Sequence, residues 1–158
     1  MTEETYTFHY HRCALNRLSD PLLASLVRAA REATYTAYAP YSHFYVGAAV
    51  LLSDGSIVTG NNQENAAFGA GTCAERTALF YAHASKPTAK VEALAVTARG
   101  EDDRFSARPV SPCGICRQVL IETQQRAGHP IKVLLCGSEE ILIVDDAKQL
   151  LPFAFETF

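Results

Sequence analysis

Two short segments constrain this chain more than any other feature in it: Thr72-Cys73-Ala74-Glu75-Arg76 and Pro112-Cys113-Gly114-Ile115-Cys116. Each reads as the start of a helix. Together they supply three cysteines and a carboxylate, which can act on one object only if the fold brings the two helix starts together. A C-x-x-C pair in a chain without export signals is more often metal-binding or catalytic than a structural disulfide. Zinc takes four tetrahedral ligands, and a catalytic site draws only three of them from the protein. Cys73, Cys113 and Cys116 would hold one Zn²⁺ per chain and leave the fourth position for a water, whose pKa the metal lowers. Glu75 stands beside the first ligand to move protons.

Helix geometry tests that expectation. Residues two apart on a regular helix point in nearly opposite directions, so Cys73 and Glu75 can face one ion only if Cys73 lies at the helix entrance. Arg76, three residues beyond Cys73, shares its face and can donate to a thiolate. Three thiolates outweigh the charge of Zn²⁺, and Arg76 with the positive ends of two helices would offset the excess. A structural zinc module is the competing possibility. It would need a fourth protein ligand, for which His43 is the nearest candidate, and it would have no use for Glu75.

Composition narrows the class. The chain has 158 residues, 48% hydrophobic and 20% charged, which suits one domain over 1–158 with a buried core and argues against disorder. A net charge of −3 gives no footprint for nucleic acid or an anionic membrane. The opening MTEETYTFHYH lacks the basic and apolar stretches of a signal peptide, and no apolar run is long enough to span a bilayer. A cytoplasmic protein is expected.

Hydrophobic periodicity predicts an α/β chain: a central mixed β-sheet flanked by helices. Residues 5–12 alternate, with Tyr6, Phe8 and Tyr10 on one face, and read as a strand within an additional N-terminal segment over 1–20. Asp20-Pro21 opens a helix whose apolar stripe of Leu22, Leu26, Ala29, Ala30, Ala33 and Ala37 runs on until Pro40. Strands at 46–52 and 57–61 flank Asp54-Gly55 as a hairpin. Helices follow at 74–84 and 113–126, with a strand at 91–97 between them. Strands at 131–136 and 141–144 are joined by four residues, too few for a parallel crossover, so this last pair is antiparallel.

The motifs resemble those of the small homotetrameric zinc-dependent cytidine deaminases. The likeness extends over about residues 38–155 and includes Tyr38-Ala39-Pro40-Tyr41-Ser42-His43-Phe44, Asn62-Gln63-Glu64-Asn65 and Leu150-Leu151-Pro152 beside the two cysteine segments. It implies Cys73, Cys113 and Cys116 as zinc ligands and Glu75 as the proton shuttle. It further implies Asn62 and Glu64 on the ribose 3′-hydroxyl, Phe44 stacked on the pyrimidine and Ala74 bonding the base through its backbone. Phe155 would reach a neighbouring subunit's site. A nucleoside substrate and a homo-oligomer, a tetramer, follow, with neither nucleic acid nor membrane as partner.

Taken alone, Phe44 and Phe155 fit a core and Asn62 and Glu64 a solvated loop; their motif positions move them into the site. The chain also departs from the resemblance. Tyr45 stands where proline is usual, Phe68 where tyrosine is common, and residues 68–71 lack a proline.

Overall fold

Strand residues of this protein alternate between two apolar sets, and each set has its own helices to bury it. The computed structural model describes residues 1–156. Six strands form one mixed sheet: β1 (His11–Ala14), β2 (Tyr45–Leu52), β3 (Ile57–Asn61), β4 (Val91–Arg99), β5 (Lys132–Cys136) and β6 (Glu140–Val144), in the order β1-β6-β5-β4-β2-β3. Three helices flank it: α1 (Pro21–Ala33), α2 (Ala74–Ser85) and α3 (Gly114–Ala127). Ala49, Leu51, Ala93, Ala95 and Leu134 face Leu26, Val27 and Ala30 of α1. Their neighbours Ala48, Val50, Leu94, Val96 and Val133 face Ala78 and Leu79 of α2 and Leu120 of α3 on the opposite side. A fully buried leucine such as Leu120 is worth about 2–5 kcal/mol against alanine.

β4 and β5 pair in parallel and the other strand pairs are antiparallel, including β5 with β6 as the short link requires. The parallel pair is connected through α3, which places that helix on the α2 side of the sheet. Gly60 of β3 is a close-approach point. A Cβ there would lie 2.3 Å from the Ala78 nitrogen and 2.7 Å from the Ala74 oxygen, so α2 rests directly on strand backbone.

Helix boundaries follow local chemistry. Asp20 caps α1 by accepting from the backbone N–H groups of Leu22 (2.9 Å) and Leu23 (3.2 Å), with Pro21 at the first helical position. Gly128, at φ 79°, takes the left-handed conformation that ends α3.

Two expectations need correction. The first helix stops at Ala33 and tightens into a 3-10 turn over Thr34–Thr36, where the Thr34 hydroxyl donates to the Arg31 carbonyl (2.7 Å). Leu22, expected in its apolar stripe, is exposed. The N-terminal strand is His11–Ala14, paired with β6 at the sheet edge, rather than 5–12. Residues 1–10 have no regular secondary structure. Within them Tyr6, Phe8 and Tyr10 still share a face, lining a cleft of about 360 Å³ with Leu135, Leu142 and Arg117. Gln149 ties this strap down, its backbone oxygen accepting from the Tyr6 hydroxyl (3.0 Å) and its Oε1 from the His9 N–H (2.9 Å).

The C-terminal aromatics read in the sequence include Phe158, which lies outside the described residues. Among the described residues, no helix is long and apolar enough to cross a membrane.

Candidate active site

Cys73 and Cys113 are the N-cap residues of α2 and α3, both in extended conformation (φ −80°, ψ 155° and φ −66°, ψ 169°). Neither side chain caps its own helix, so both thiols are available to one another. Cys73 Sγ stands 3.8 Å from Cys113 Sγ, which stands 3.5 Å from Cys116 Sγ. All three sulfurs lie within 4.8 Å of one another, and this is the metal-ligating cluster found among the described residues. Zinc–sulfur bonds of ~2.3 Å at a tetrahedral centre separate two sulfurs by ~3.8 Å, so the triad has the spacing for one zinc per chain. A disulfide requires ~2.05 Å, far shorter than either distance.

The local electrostatics favour thiolate at Cys73. A hydrogen bond from Cys116, with another from Arg76 (Nη2 to Sγ 3.8 Å), brings the Cys73 thiol down to about 5. Cys116, buried, is pushed the other way by the same hydrogen bond and by desolvation. Binding of a dication requires the three sulfurs to give up their protons. Arg76 in turn is held more firmly protonated by the Cys73 sulfur.

Glu75 sits in the first turn of α2 and is 4% exposed. Burial raises its pKa above the ordinary carboxylate value, with the Cys73 charge adding to the effect. A buried carboxyl whose pKa is raised is better suited to exchange protons with a reacting group than an ordinary surface carboxylate. Ala74, just before it, is fully buried against β3.

A cleft of about 500 Å³ opens over Cys73 and Arg76, lined by Tyr41, Ser42, Asn62, Gln63, Glu64, Asn65, Phe68 and Thr72. Glu64 Oε2 accepts from the backbone N–H groups of Tyr41 (2.9 Å) and Ser42 (3.2 Å), and Oε1 accepts from the Ser42 hydroxyl. These bonds, the Ser42 hydroxyl first, hold the Glu64 carboxyl below its usual pKa. Asn62 Oδ1 accepts from the Val46 N–H (2.8 Å) and its Nδ2 donates to the Phe44 carbonyl (2.9 Å). Phe44 is partly exposed on the segment that both residues grip.

Sequence reasoning singled out Cys73, Cys113, Cys116, Glu75 and Arg76 around one point, and the fold brings them together there. Asn62 and Glu64 share the adjoining cleft. Phe155 lies elsewhere on the chain, its backbone N–H and carbonyl both bonded to Gln118 of α3. His43 is turned outward at φ 54° to pair with Glu101 (3.5 Å) and is not part of the sulfur cluster. Tyr45, the departure from proline, lies against Arg99, whose guanidinium carbon is 4.4 Å from its ring centre. Phe68 was noted only as a departure from tyrosine, and Tyr41 and Ser42 were not singled out as site residues. Their signal was present, since a carboxylate at Glu64 needs donors and Tyr41-Ser42 flank Phe44.

Comparisons with known proteins agree with this geometry. The family model for the cytidine and deoxycytidylate deaminase zinc-binding region matches residues 22–128. A cytidine deaminase of Halalkalibacterium halodurans is 50% identical over 130 residues, 82% of this chain and 91% of that protein. The crystal structure of cytidine deaminase from Burkholderia pseudomallei superposes with a TM-score of 0.68 at 40% identity, covering 83% of this chain and 97% of that one. The structure of the Mycobacterium tuberculosis cytidine deaminase gives 0.68 at 33% identity, over 87% of this chain and 100% of that one. With thiols at zinc spacing, a buried carboxyl behind them and relatives of this kind over most of its length, the chain belongs to the cytidine and deoxycytidylate deaminase zinc-binding family.

Proposed function

We propose that this protein catalyses the hydrolytic deamination of cytidine and 2′-deoxycytidine, giving uridine or deoxyuridine and ammonia. The observation that carries this is Glu75, a buried carboxyl of raised pKa directly beside three thiols at zinc spacing. Zinc held by Cys73, Cys113 and Cys116 would supply Lewis-acid activation of a water. Glu75 takes one proton from the attacking water as its oxygen bonds to C4 and gives it to N3, then takes the proton of the new C4 hydroxyl and gives it to the departing amine. The C4–N4 bond breaks, and ammonia leaves. Arg76 tempers the charge of the thiolates.

In this reading Phe44 stacks on the pyrimidine and the Ala74 backbone bonds the base. Asn62 and Glu64 receive the ribose 3′-hydroxyl. Among the described residues lining the cleft, the cation is Arg76, which is engaged with Cys73, and this favours a nucleoside over its 5′-phosphate. The chain would then serve pyrimidine salvage in the cytoplasm as a homotetramer, with Phe155 completing a neighbouring subunit's site. Exposed Phe153 and Phe155 near the C-terminus support burial between subunits.

The test is to incubate purified protein with cytidine, 2′-deoxycytidine, CMP and cytosine while measuring its zinc content. Uridine or deoxyuridine formed from the nucleosides alone, by protein carrying about one zinc per chain, is expected. X-ray absorption should show three sulfurs and one lighter ligand. Four sulfurs, or freshly purified protein without metal, would sink the catalytic assignment. Light scattering at assay concentration tests the assembly, and a fully active monomer refutes the shared site.

A further inference from the structure

Ser42 occupies a junction that the proposed roles of Phe44 and Glu64 do not explain. A serine hydroxyl has one proton to donate and two lone pairs to accept with. Here the proton goes to Glu64 Oε1 and a lone pair receives the backbone N–H of Phe44 (3.2 Å). The chain turns between them at His43, at φ 54°, a conformation that side-chain-bearing residues seldom adopt unless neighbouring bonds hold it. Asn62 holds the other side of the same residue by donating to the Phe44 carbonyl. A carboxylate offers about four acceptor sites, and Tyr41 and Ser42 fill three on Glu64. The remaining one is left for a single donor in the cleft.

We propose that Ser42 is a positioning residue that sets Glu64 and Phe44 in one fixed relation, so that a sugar hydroxyl and the attached base are read together. The inference rests on the nucleoside reading of this cleft. Without the Ser42 hydroxyl, Glu64 keeps two backbone donors on one oxygen, its second oxygen loses its anchor, and the Phe44 N–H loses its acceptor. The cost falls on binding geometry rather than on the proton transfers at Glu75.

Steady-state kinetics of the parent, Ser42→Ala and Ser42→Thr on cytidine and 3′-deoxycytidine test this, Thr being accommodated because residue 42 is exposed. Ser42→Ala should lower kcat/KM for cytidine about tenfold, and Ser42→Thr should restore it to within about twofold of the parent. On 3′-deoxycytidine, which offers Glu64 no hydroxyl, the Ser42→Ala loss should shrink below about threefold. An equal loss on both substrates, or a threonine variant as poor as alanine, overturns the proposal and leaves the deaminase reading standing. A parent inert toward cytidine overturns the reading of the cleft, and this inference with it.

Discussion

The cleft over Cys73 and the cleft under the N-terminal strap are comparable in size, about 500 and 360 Å³, and both carry aromatic rings in their walls. They differ in what their polar groups have left to give. Arg117, the charge in the second cleft, is committed to backbone: Nε donates to the Pro112 carbonyl (2.9 Å) and Nη1 to the Leu150 carbonyl (3.0 Å). The first cleft gathers Glu64, Cys73 and Arg76, with a thiol triad and a buried carboxyl behind them. Volume and aromatic lining therefore do not distinguish a site from a seam between a strap and a sheet. Convergent groups with unspent capacity to bind or ionise do.

The largest effect expected from breaking this comparison lies at Glu75. Glu75→Gln should keep zinc and the melting temperature while kcat falls by at least ~10²-fold, the usual contribution of a general acid–base group. Activity within a few-fold of the parent would mean that another group moves the proton. Next is the sugar. Free cytosine cannot use Asn62 or Glu64, so kcat as well as affinity should drop, because binding remote from C4 positions the reacting base. Turnover of cytosine equal to that of cytidine would force both residues to be reassigned.

The strap should respond in the opposite sense. Tyr6, Phe8 and Tyr10 are each about half buried, at 53%, 43% and 47% exposure. Deleting residues 1–10 should cost roughly 1–2 kcal/mol, after the entropy of ordering the strap is set against the burial. A melting scan should show a drop of roughly 2–8 °C for a chain of this size, with kcat/KM within about threefold of the full chain. Loss of activity without loss of stability would give the second cleft a function.

The smallest effect is a pH dependence at Glu64. Its folded pKa is lowered, so its contribution is present above the ordinary carboxylate value and is lost as pH falls through the lowered one. The difference in Tm between the parent and Glu64→Gln should narrow as pH drops from about 7 to about 3. A constant difference would place the effect in packing rather than ionisation.

Legibility in the sequence divided along the same line. The placement of Cys73 at a helix entrance followed from a two-residue spacing, because helix geometry leaves a neighbouring carboxylate no other way to face the same point. The hairpin and the closing antiparallel pair were legible from Asp54-Gly55 and from the shortness of the last link. At the N-terminus the alternation of Tyr6, Phe8 and Tyr10 was genuine, but a strand needs a partner as well as a pattern. β6 supplies pairing only for residues 11–14, opposite Ile143 to Glu140, and then ends at Val144. The end of α1 was hidden for a related reason. Ala37 continues the apolar period, while the Thr34 hydroxyl and the 3-10 turn break the helix before it. Ser42 escaped notice because its partners, Glu64 and the Phe44 N–H, meet it only through the left-handed turn at His43.

Gly60 gives the molecule a tolerance in the engineer's sense. The first turn of α2, with Cys73 at its mouth and Glu75 inside it, has no spacer between itself and strand β3, because a methyl group at Gly60 would meet helix backbone at 2.3 Å. One carbon added to a strand residue that bears no polar side-chain atom must lift the helix, and Glu75 rides with it. Chemistry that depends on tenths of an ångström would thus be gauged by a residue whose whole contribution is to occupy no space.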